Sequence, residues 1–266
     1  MTYQLLTLDI DTRGVASVTL NRPEIHNAFN DHLIAEITRV FNELDSNDAV
    51  RLAVLSGNGK SFCAGGDLNW MKAMKDYSET ENVDDSHKLA AMFGTIHAFN
   101  KPLIGVIHGF ALGGGSGLAS VCDYVIAAEN ATFGFTETRL GLIPATIGPF
   151  VIEKIGLSAA RAYFISGAQF STLTAKEIGL VHRIATTDAL AHTREEIIAE
   201  FLKAAPKASR AAKALVNDIS RLSRSGDRKS LADHTVHAIA RIRVGAEAQA
   251  GMDALLNGRK APWSVS

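Results

Sequence analysis

Apolar residues in the first 200 positions form short runs that alternate with stretches of helical spacing. Asn30 to Leu44 has the spacing of an amphipathic helix, and Asn30 is a suitable N-cap. The turn residues of Asp11–Gly14 predict a hairpin between the first two apolar runs. This alternation predicts a layered α/β fold. The predicted strands are Tyr3 to Ile10, Val15 to Leu20, Leu52 to Leu55, Leu103 to Ile107 and Tyr124 to Ala127.

The pattern changes near residue 188, after which the chain is predicted to be almost wholly helical. Breaks are expected near Pro206, Gly226 and Gly245. We therefore place a core at residues 1–200 and a helical region at residues 201–266. Residues 70–87 are polar, acidic and without clear periodicity, which is typical of a mobile lid over a site or of a solvated loop.

Composition limits the class of protein. The chain has 266 residues, 47% of them apolar, with a net charge of −1, so it can bury a sizeable core and is neither disordered nor fibrous. Gly, Pro or charged residues break every apolar stretch well before the roughly 18 residues of a membrane span. The first residues do not have the pattern of a signal peptide. Cys63 and Cys122 are expected to pack as small apolar residues in a reducing cytoplasm.

A triple-glycine loop, His108–Leu118, is the most distinctive segment. An apolar strand is predicted to turn through Gly113, Gly114 and Gly115 into a helix whose first amide donors are unpaired. Such a turn suits an anion or a developing oxyanion. A dinucleotide fingerprint is excluded because Leu118 stands at the third glycine position of G-x-G-x-x-G. The loop itself supplies no acid or base.

Four motifs in this order resemble the crotonase family of enoyl-CoA hydratases and isomerases, over essentially the whole chain. They are Asn21–Asn30, Gly59–Leu68, His108–Leu118 and Gly134–Pro144. The resemblance implies a spiral of ββα units with a C-terminal helical region that packs between subunits, as a homotrimer or a dimer of trimers. It also implies an acyl-CoA thioester substrate, with no cofactor beyond the coenzyme A that the substrate carries.

The family pattern assigns roles to individual residues. The backbone amides of Gly66 and Gly114 map to the oxyanion hole that stabilises an enolate, where one donor contributes about 3 kcal/mol. A structural role in tight turns is the alternative for both glycines. Residues of the same motifs map to the coenzyme pocket or to the segment that touches the adenine: His26, Ala28, Ala64, Gly66, Asp67, Leu68, Gly114 and Gly117.

This chain has only one of the two glutamates that form the acid–base pair of the family. Glu137 matches one of two family glutamates, whereas Gly117 stands where the other is expected. Glu137 is therefore the predicted catalytic residue, and the alternative is a surface residue or one in a salt bridge, for instance with Arg139.

A single acid leaves several activities open. Thr136–Phe150 resembles bacterial 3-methylglutaconyl-CoA hydratases, which also tend to have glycine at the first acid position. We therefore favour hydration or dehydration of a branched enoyl-CoA, with Δ3,Δ2-enoyl-CoA isomerisation as the alternative. Dehalogenation or thioester hydrolysis needs a different nucleophile and is disfavoured, because Ala145 stands where a dehalogenase would have an aspartate and Asp123 is expected to be structural. A scaffold that binds acyl-CoA without turnover is the non-enzyme alternative.

Other residues carry narrower expectations. Ser116 is predicted either to hold a water near the substrate or to bond locally, and His108 to make a structural hydrogen bond. Trp70 and Met71 are candidates for the wall of the acyl pocket. No metal is predicted, because no cluster has ligand spacing. The near-zero net charge disfavours nucleic acid as the main partner. A basic helical face is made by Lys203, Lys207, Arg210 and Lys213. We interpret it as a solvated surface, and contact with coenzyme phosphates or weak nucleic-acid binding are the alternatives.

Overall fold

A computed structural model describes residues 2–264, without the side chain of Ser225. The chain divides into two compact units. The first comprises the residues up to Phe99 together with Leu103–Glu195, and the second comprises Asn100–Pro102 together with the residues from Glu196 onward. The sequence analysis placed its boundary at residue 200, within the helix that leads into the second unit. The strands are β1 (Leu6–Ile10), β2 (Val15–Leu20), β3 (Leu52–Gly57), β4 (Leu103–Ile107), β5 (Phe110–Leu112), β6 (Tyr124–Ala128), β7 (Thr132–Gly134), β8 (Gln169–Ser171) and β9 (Arg183–Ala185).

Six strands form the main sheet, in the order β1-β2-β3-β4-β6-β9. Only β1 and β2 are antiparallel; the remaining pairs are parallel. The predicted hairpin is confirmed, and its tight turn depends on Gly14, whose φ is +81°. Strands β3 and β4 are almost entirely buried, as expected for parallel strands covered on both faces.

Helices connect the parallel strands. The first unit contains α1 (Asp31–Ser46), α2 (Leu68–Met74), α3 (Glu79–Ala98), α4 (Gly114–Val121), α5 (Gly148–Ser166) and α6 (Thr172–Glu177). The predicted cap of α1 is confirmed, since the Asn30 side chain accepts a hydrogen bond from the Leu33 amide at 2.8 Å. The buried face of α1 carries Leu33, Ile34, Ile37, Val40, Phe41 and Leu44.

A second, three-stranded sheet has the order β5-β7-β8. Strands β5 and β7 are parallel, with Leu112 opposite Gly134 at the end of the ladder. The predicted strand–glycine–helix turn is present here, because β5 ends one residue before Gly113 and α4 begins one residue after it. Gly113 has φ +51°, a conformation that L side chains rarely adopt.

Residues 70–87 are largely helical, so the expectation of an irregular loop was wrong, whereas the lid stays a prediction. They comprise the end of α2, the connection at residues 75–78 and the first half of α3. Ser78 and Glu81 form a reciprocal capping box that starts α3. Only Met92, Phe93 and Ile96, near its end, are buried, so the first turns show no apolar stripe from which a helix could be recognised.

The helical character of the C-terminal region is confirmed. Helix α7 (Leu190–Leu202) leads to α8 (Pro206–Ser225), α9 (Arg228–Arg243) and α10 (Ala246–Leu256), with breaks at the predicted places. Several apolar side chains of the last three helices are largely exposed, including those of Val216, Val236, Ile239, Leu255 and Leu256. Within residues 2–264, no helix is both long and apolar enough to cross a membrane.

Candidate active site

Three extended segments, each from a different sequence motif, lie side by side in the first unit. The amide of Ala64 donates to the His26 carbonyl at 3.0 Å, and the Phe29 amide donates to the Gly65 carbonyl at 2.7 Å. On the opposite side of the middle segment, Cys63 exchanges backbone hydrogen bonds with the β5 strand at 3.0 Å. The backbone pairing therefore brings the first three motifs together.

The amides of Gly66 and Gly114 are left out of this pairing. The residues on either side of Gly66 pair with Phe29: the Gly65 carbonyl accepts from the Phe29 amide, and the Asp67 amide donates to the Phe29 carbonyl. Gly114 is the first residue of α4, where an amide has no intrahelical acceptor. Within residues 2–264, neither amide has a hydrogen-bond acceptor. Gly66 is exposed and Gly114 is half-buried, so both amides are available to a bound anion.

Close backbone packing explains the run of glycines. A Cβ on Gly115 would lie 2.2 Å from the Cys63 carbonyl oxygen, and a Cβ on Gly114 would lie 2.7 Å from the ring of Phe29. Either contact is shorter than real Cβ atoms show, so a side chain at these positions would force the segments apart. Phe29 is a residue that the sequence analysis did not single out, although it contacts both glycine turns through its backbone and its ring.

Glu137 lies beside the triple-glycine loop. It belongs to a short 3-10 helix, Thr136–Leu140, that follows β7 and ends at Gly141. One carboxylate oxygen, Oε1, lies 3.2 Å from the position that a Cβ on Gly113 would take. The other oxygen, Oε2, is buried without a hydrogen-bond partner. Burial raises the pKa of the Glu137 carboxyl.

The structural alternative for Glu137, an ion pair with Arg139, is wrong. In the part of the chain that the structure describes, Glu137 takes part in no ion pair, and Arg139 is exposed. Leaving a buried carboxylate oxygen such as Oε2 without a partner lowers stability, and proteins retain such groups mainly at functional sites. The position of Glu137 therefore favours a chemical role over a structural one.

Gly117 does not leave an empty acid site. An ideal Cβ built on Gly117 would lie 2.4 Å from Ile147 Cγ2 and 3.1 Å from Phe93 Cε1. Both of these side chains are buried, with exposed fractions of 2% and 0%. The space where a second carboxylate would begin is thus filled by an apolar wall. Ile147 and Phe93 lie far from Gly117 in sequence, so only the tertiary structure identifies them.

A cavity of about 500 Å³ adjoins this wall, between α3 and residues 145–150. Phe150 forms part of its lining and packs against Phe93, with ring centroids 6.1 Å apart. Trp70 and Met71, the predicted acyl-pocket residues, lie beside Gly66: Met71 Sδ would be 3.4 Å from a Cβ at that position. Apolar side chains therefore flank both glycine turns.

The residues predicted to contact the coenzyme differ in accessibility. Leu68 has an exposed fraction of 81% and His26 is exposed, whereas Ala28 is buried and Ala64 is half-buried. The His26 ring nitrogen Nδ1 lies 2.9 Å from the Ser61 hydroxyl. His26 and Asn27 both have positive φ, so this segment is held in an uncommon backbone conformation.

Asp67 has a structural role that the sequence did not indicate. Its carboxylate accepts from Arg22 Nη2 at 2.9 Å and from the Asn69 amide at 2.8 Å, which caps α2. Burial acts to raise the pKa of Asp67, but these hydrogen bonds outweigh burial and lower it. Arg22 also donates to the Ala28 carbonyl. The Arg22–Asp67 pair therefore joins the first two motifs, and the carboxylate, amide and carbonyl of Asp67 all have partners within the protein.

Three further predicted residues have structural partners. The Ser116 hydroxyl is fully buried and bonds locally to the Ala111 carbonyl and the Gly134 amide, so the water-binding alternative is wrong. His108 makes the expected structural hydrogen bond, with Nε2 2.9 Å from the Gly59 carbonyl oxygen. Asp123 accepts from the Leu103 amide at 2.8 Å, in agreement with a structural role.

The remaining predictions concern the basic residues of the C-terminal region, the two cysteines and metal binding. Lys203 pairs with Glu200 in an exposed ion pair, and Lys213 donates to the Lys101 carbonyl within the second unit. Both cysteines are buried free thiols. Among the residues that the structure describes, no group of three or more His, Cys, Asp or Glu side chains has the arrangement of a metal site.

Comparison with known proteins agrees with this architecture. Residues 11–265 match the family model for enoyl-CoA hydratase/isomerase. The chain is 36% identical to the 2,3-dehydroadipyl-CoA hydratase of Escherichia coli strain K12 over 200 residues, covering 75% of this chain and 76% of that protein. It is 34% identical to the enoyl-CoA hydratase AKT6-1 of Alternaria alternata over 250 residues, which are 93% of this chain and 80% of that protein.

The fold is shared as well. The crystal structure of an enoyl-CoA hydratase from Shewanella pealeana matches with a TM-score of 0.92 and 35% identity, over 98% of this chain and 96% of that chain. These matches confirm the crotonase fold that the four motifs predicted, and they favour an enzyme over a non-catalytic scaffold. The chain belongs to the enoyl-CoA hydratase/isomerase family.

Proposed function

We propose that this protein hydrates a branched enoyl-CoA, or dehydrates the corresponding 3-hydroxyacyl-CoA, through the amides of Gly66 and Gly114 and the single carboxyl of Glu137. The proposed pair of substrate and product is 3-methylglutaconyl-CoA and 3-hydroxy-3-methylglutaryl-CoA. The observation that carries the proposal is the apolar filling at Gly117, because Ile147 and Phe93 occupy the place from which a second acid would act. Glu137 is then the one acid–base group of the reaction.

The two glycine amides supply the electrostatic part of catalysis. An enolate that forms when a proton leaves or reaches Cα places negative charge on the thioester oxygen. Two amide donors that have no acceptor in the protein, one exposed and one half-buried, stabilise that charge without breaking existing hydrogen bonds. One donor of this kind contributes about 3 kcal/mol to the stability of the transition state.

One carboxyl can carry both proton transfers if they occur on the same face of the substrate. In the dehydration direction, the Glu137 carboxylate takes the Cα proton. The resulting acid then donates that proton to the hydroxyl leaving Cβ, which departs as water and restores the carboxylate. Hydration is the reverse sequence. The raised pKa of Glu137 suits this cycle, because it brings the proton affinity of the carboxyl nearer to neutral pH.

A branched substrate fits a site with one acid. A β-methyl group stabilises the positive charge that develops at Cβ as water leaves. Acid catalysis at the departing oxygen therefore has to lower the reaction barrier by less. The resemblance of Thr136–Phe150 to 3-methylglutaconyl-CoA hydratases points the same way. The similar protein from Escherichia coli is named for 2,3-dehydroadipyl-CoA, which is also the thioester of a dicarboxylic acid.

Isomerisation of a 3-enoyl-CoA is the second candidate function, and the same observation favours it. A single base that moves a proton between Cα and Cγ has no need of a second carboxylate. The apolar wall at Gly117 would also keep water away from the intermediate. The two candidates share the oxyanion hole and Glu137, and they differ only in whether water enters the product.

Binding and assembly complete the proposal. The coenzyme A part of the substrate would contact the segments that contain His26, Ala28, Ala64, Asp67 and Leu68. A homotrimer or a dimer of trimers would cover the exposed apolar side chains of the C-terminal helices. Light scattering on the purified protein tests the assembly: a monomer would contradict it.

The test of the activity is a mass-spectrometric assay of the purified protein with three thioesters side by side. The substrates are 3-methylglutaconyl-CoA, crotonyl-CoA and a 3-enoyl-CoA. The proposal expects the mass of one water to be gained on the branched substrate, with slow or no hydration of crotonyl-CoA. A shifted double bond in the 3-enoyl-CoA, with no hydration of the branched substrate, would instead establish the isomerase.

A further inference from the structure

The hydroxyl of Ser116 hydrogen-bonds to β5, the strand that leads to Gly114, and to β7, the strand that leads to Glu137. It lies on the first turn of α4 and is completely buried. Ser116 Oγ donates to the Ala111 carbonyl in β5 at 2.6 Å and accepts from the Gly134 amide in β7 at 3.2 Å. A hydroxyl with one donor and one acceptor bond has its main hydrogen-bonding capacity used, so Ser116 is a fixed connection between helix and strands.

Gly134 is held at both of its backbone polar groups. Its amide donates to Ser116, and its carbonyl accepts from the Gly113 amide at 2.8 Å. Gly113 directly precedes Gly114, whose amide is a proposed oxyanion donor. On the other side, the chain runs three residues from Gly134 to Glu137. The proposed oxyanion donor and the proposed acid are therefore attached to one short hydrogen-bonded frame.

We infer that Ser116 is a positioning residue that sets the Glu137 carboxyl relative to the Gly114 amide. This inference rests on the proposed function for the roles of those two residues. Removing the hydroxyl would leave the buried Ala111 carbonyl and Gly134 amide each short of one partner. The end of β7 would then shift to recover hydrogen bonds, and Glu137 would shift with it.

The effect should fall on the rate of the chemical step and not on binding. A misplacement of about 1 Å can lower a rate by about 100-fold. The hydroxyl of Ser116 bonds to β5 and β7 and not to the segments around residues 26–28 and 64–68, so substrate affinity should be largely unchanged. The frame also fixes the buried surroundings of Glu137, which raise its pKa. A change in its position should therefore also move the acid limb of the pH profile.

The chain offers a matched control in Ser120, one turn further along α4. Ser120 is also buried, and its hydroxyl donates to the Ser116 carbonyl at 2.9 Å, a bond that stays within the helix. Ser116→Ala and Ser120→Ala thus remove the same group from the same helix. Only the first removes a connection to β5 and β7.

The experiment measures kcat, KM and the pH dependence of kcat for both variants and the wild type, with whichever of the three thioesters the wild type turns over fastest. We expect Ser116→Ala to lower kcat by about 10- to 100-fold with KM unchanged, and to shift the acid limb. Ser120→Ala should keep both the kcat and the pH profile of the wild type. Melting temperatures identify any general loss of folding.

Equal kcat values for the two variants, or an unshifted acid limb in Ser116→Ala, would overturn the positioning role. If Ser116→Ala does not fold, Ser116→Cys is measured instead, because a thiol fills a similar space but is a much weaker donor and acceptor, so the connection to β5 and β7 is weakened and kcat should still fall. A folded Ser116→Cys variant with wild-type kcat and pH profile would likewise overturn it. Failure of the proposed function looks different: the wild type would then hydrate no branched substrate, whereas the comparison of Ser116 with Ser120 still holds for the thioester that it does convert.

Discussion

Substitution of Gly117 by alanine tests whether the site of the missing acid is filled. The added Cβ would lie 2.4 Å from Ile147 Cγ2, whereas carbon atoms in contact are normally about 3.5 to 4.0 Å apart. Overpacking of this kind costs about 1–3 kcal/mol of unfolding free energy. The matched control is Gly94→Ala in α3, because Gly94 is also helical and has no atom within 4 Å of its ideal Cβ.

Both substitutions gain about 1 kcal/mol from helix propensity, so their difference isolates the clash. We expect Gly117→Ala to be about 1–3 kcal/mol less stable than Gly94→Ala, with a melting temperature about 2–12 °C lower. Ile147→Ala alone should cost about 2–5 kcal/mol, but it removes the clashing methyl group. In the Ile147→Ala background, Gly117→Ala should therefore lose most of its penalty. Additive effects in this double-mutant cycle, measured by urea unfolding, would refute the packing argument.

Three further changes test single interactions. Burial raises the pKa of the folded-state Glu137 carboxyl and thus disfavours its charged form, so Glu137→Gln should gain stability relative to the wild type as the pH rises from 4.5 to the raised pKa, and the gain should be constant above it. Burial, with a contribution from Lys154, lowers the pKa of His182 from 6.5 to about 4, so stability should fall as the pH decreases through that range. Arg22→Gln should cost about 3–5 kcal/mol, because it leaves the buried Asp67 carboxylate without its cation.

Each of these changes has a measurement that can contradict it. For Glu137, the measurement is thermal unfolding of the wild type and Glu137→Gln from pH 4 to pH 8. Parallel curves of melting temperature against pH for the two proteins would contradict the prediction. For His182, the His182→Gln variant should lose less stability between pH 6.5 and pH 4 than the wild type. For Arg22, the double variant with Asp67→Asn should recover stability relative to the single one; no recovery would show that the ion pair contributes nothing.

The sequence predicted the parts of the fold that depend on local signals. The bounds of Val15–Leu20 and Leu103–Ile107, the Asn30 cap and the turn at Gly113 are all as expected, because each depends on side-chain alternation or on backbone conformation. The first half of α3 was missed. Its residues are polar on all sides, and its helix depends on a capping box and on the packing of its last turns.

The site was predictable only in part, for a related reason. Gly66, Gly114 and Glu137 lie in recognisable motifs; the structure leaves the two amides without an acceptor and brings Glu137 beside Gly113, while their roles stay a prediction. The apolar wall could not be predicted, since Ile147 and Phe93 reach Gly117 only through the packing of α3, α4 and the residues before α5. The buried Arg22–Asp67 pair depends on the same kind of long-range contact.

The most direct test of the central claim is the rate at which Glu137→Gln hydrates 3-methylglutaconyl-CoA. Glutamine keeps the shape of the side chain but cannot take up the proton. If Glu137 is the one acid–base group, kcat should fall by about 10²- to 10⁴-fold while the variant remains folded and binds the thioester. Turnover close to that of the wild type would show that another group carries the proton, and would contradict the account.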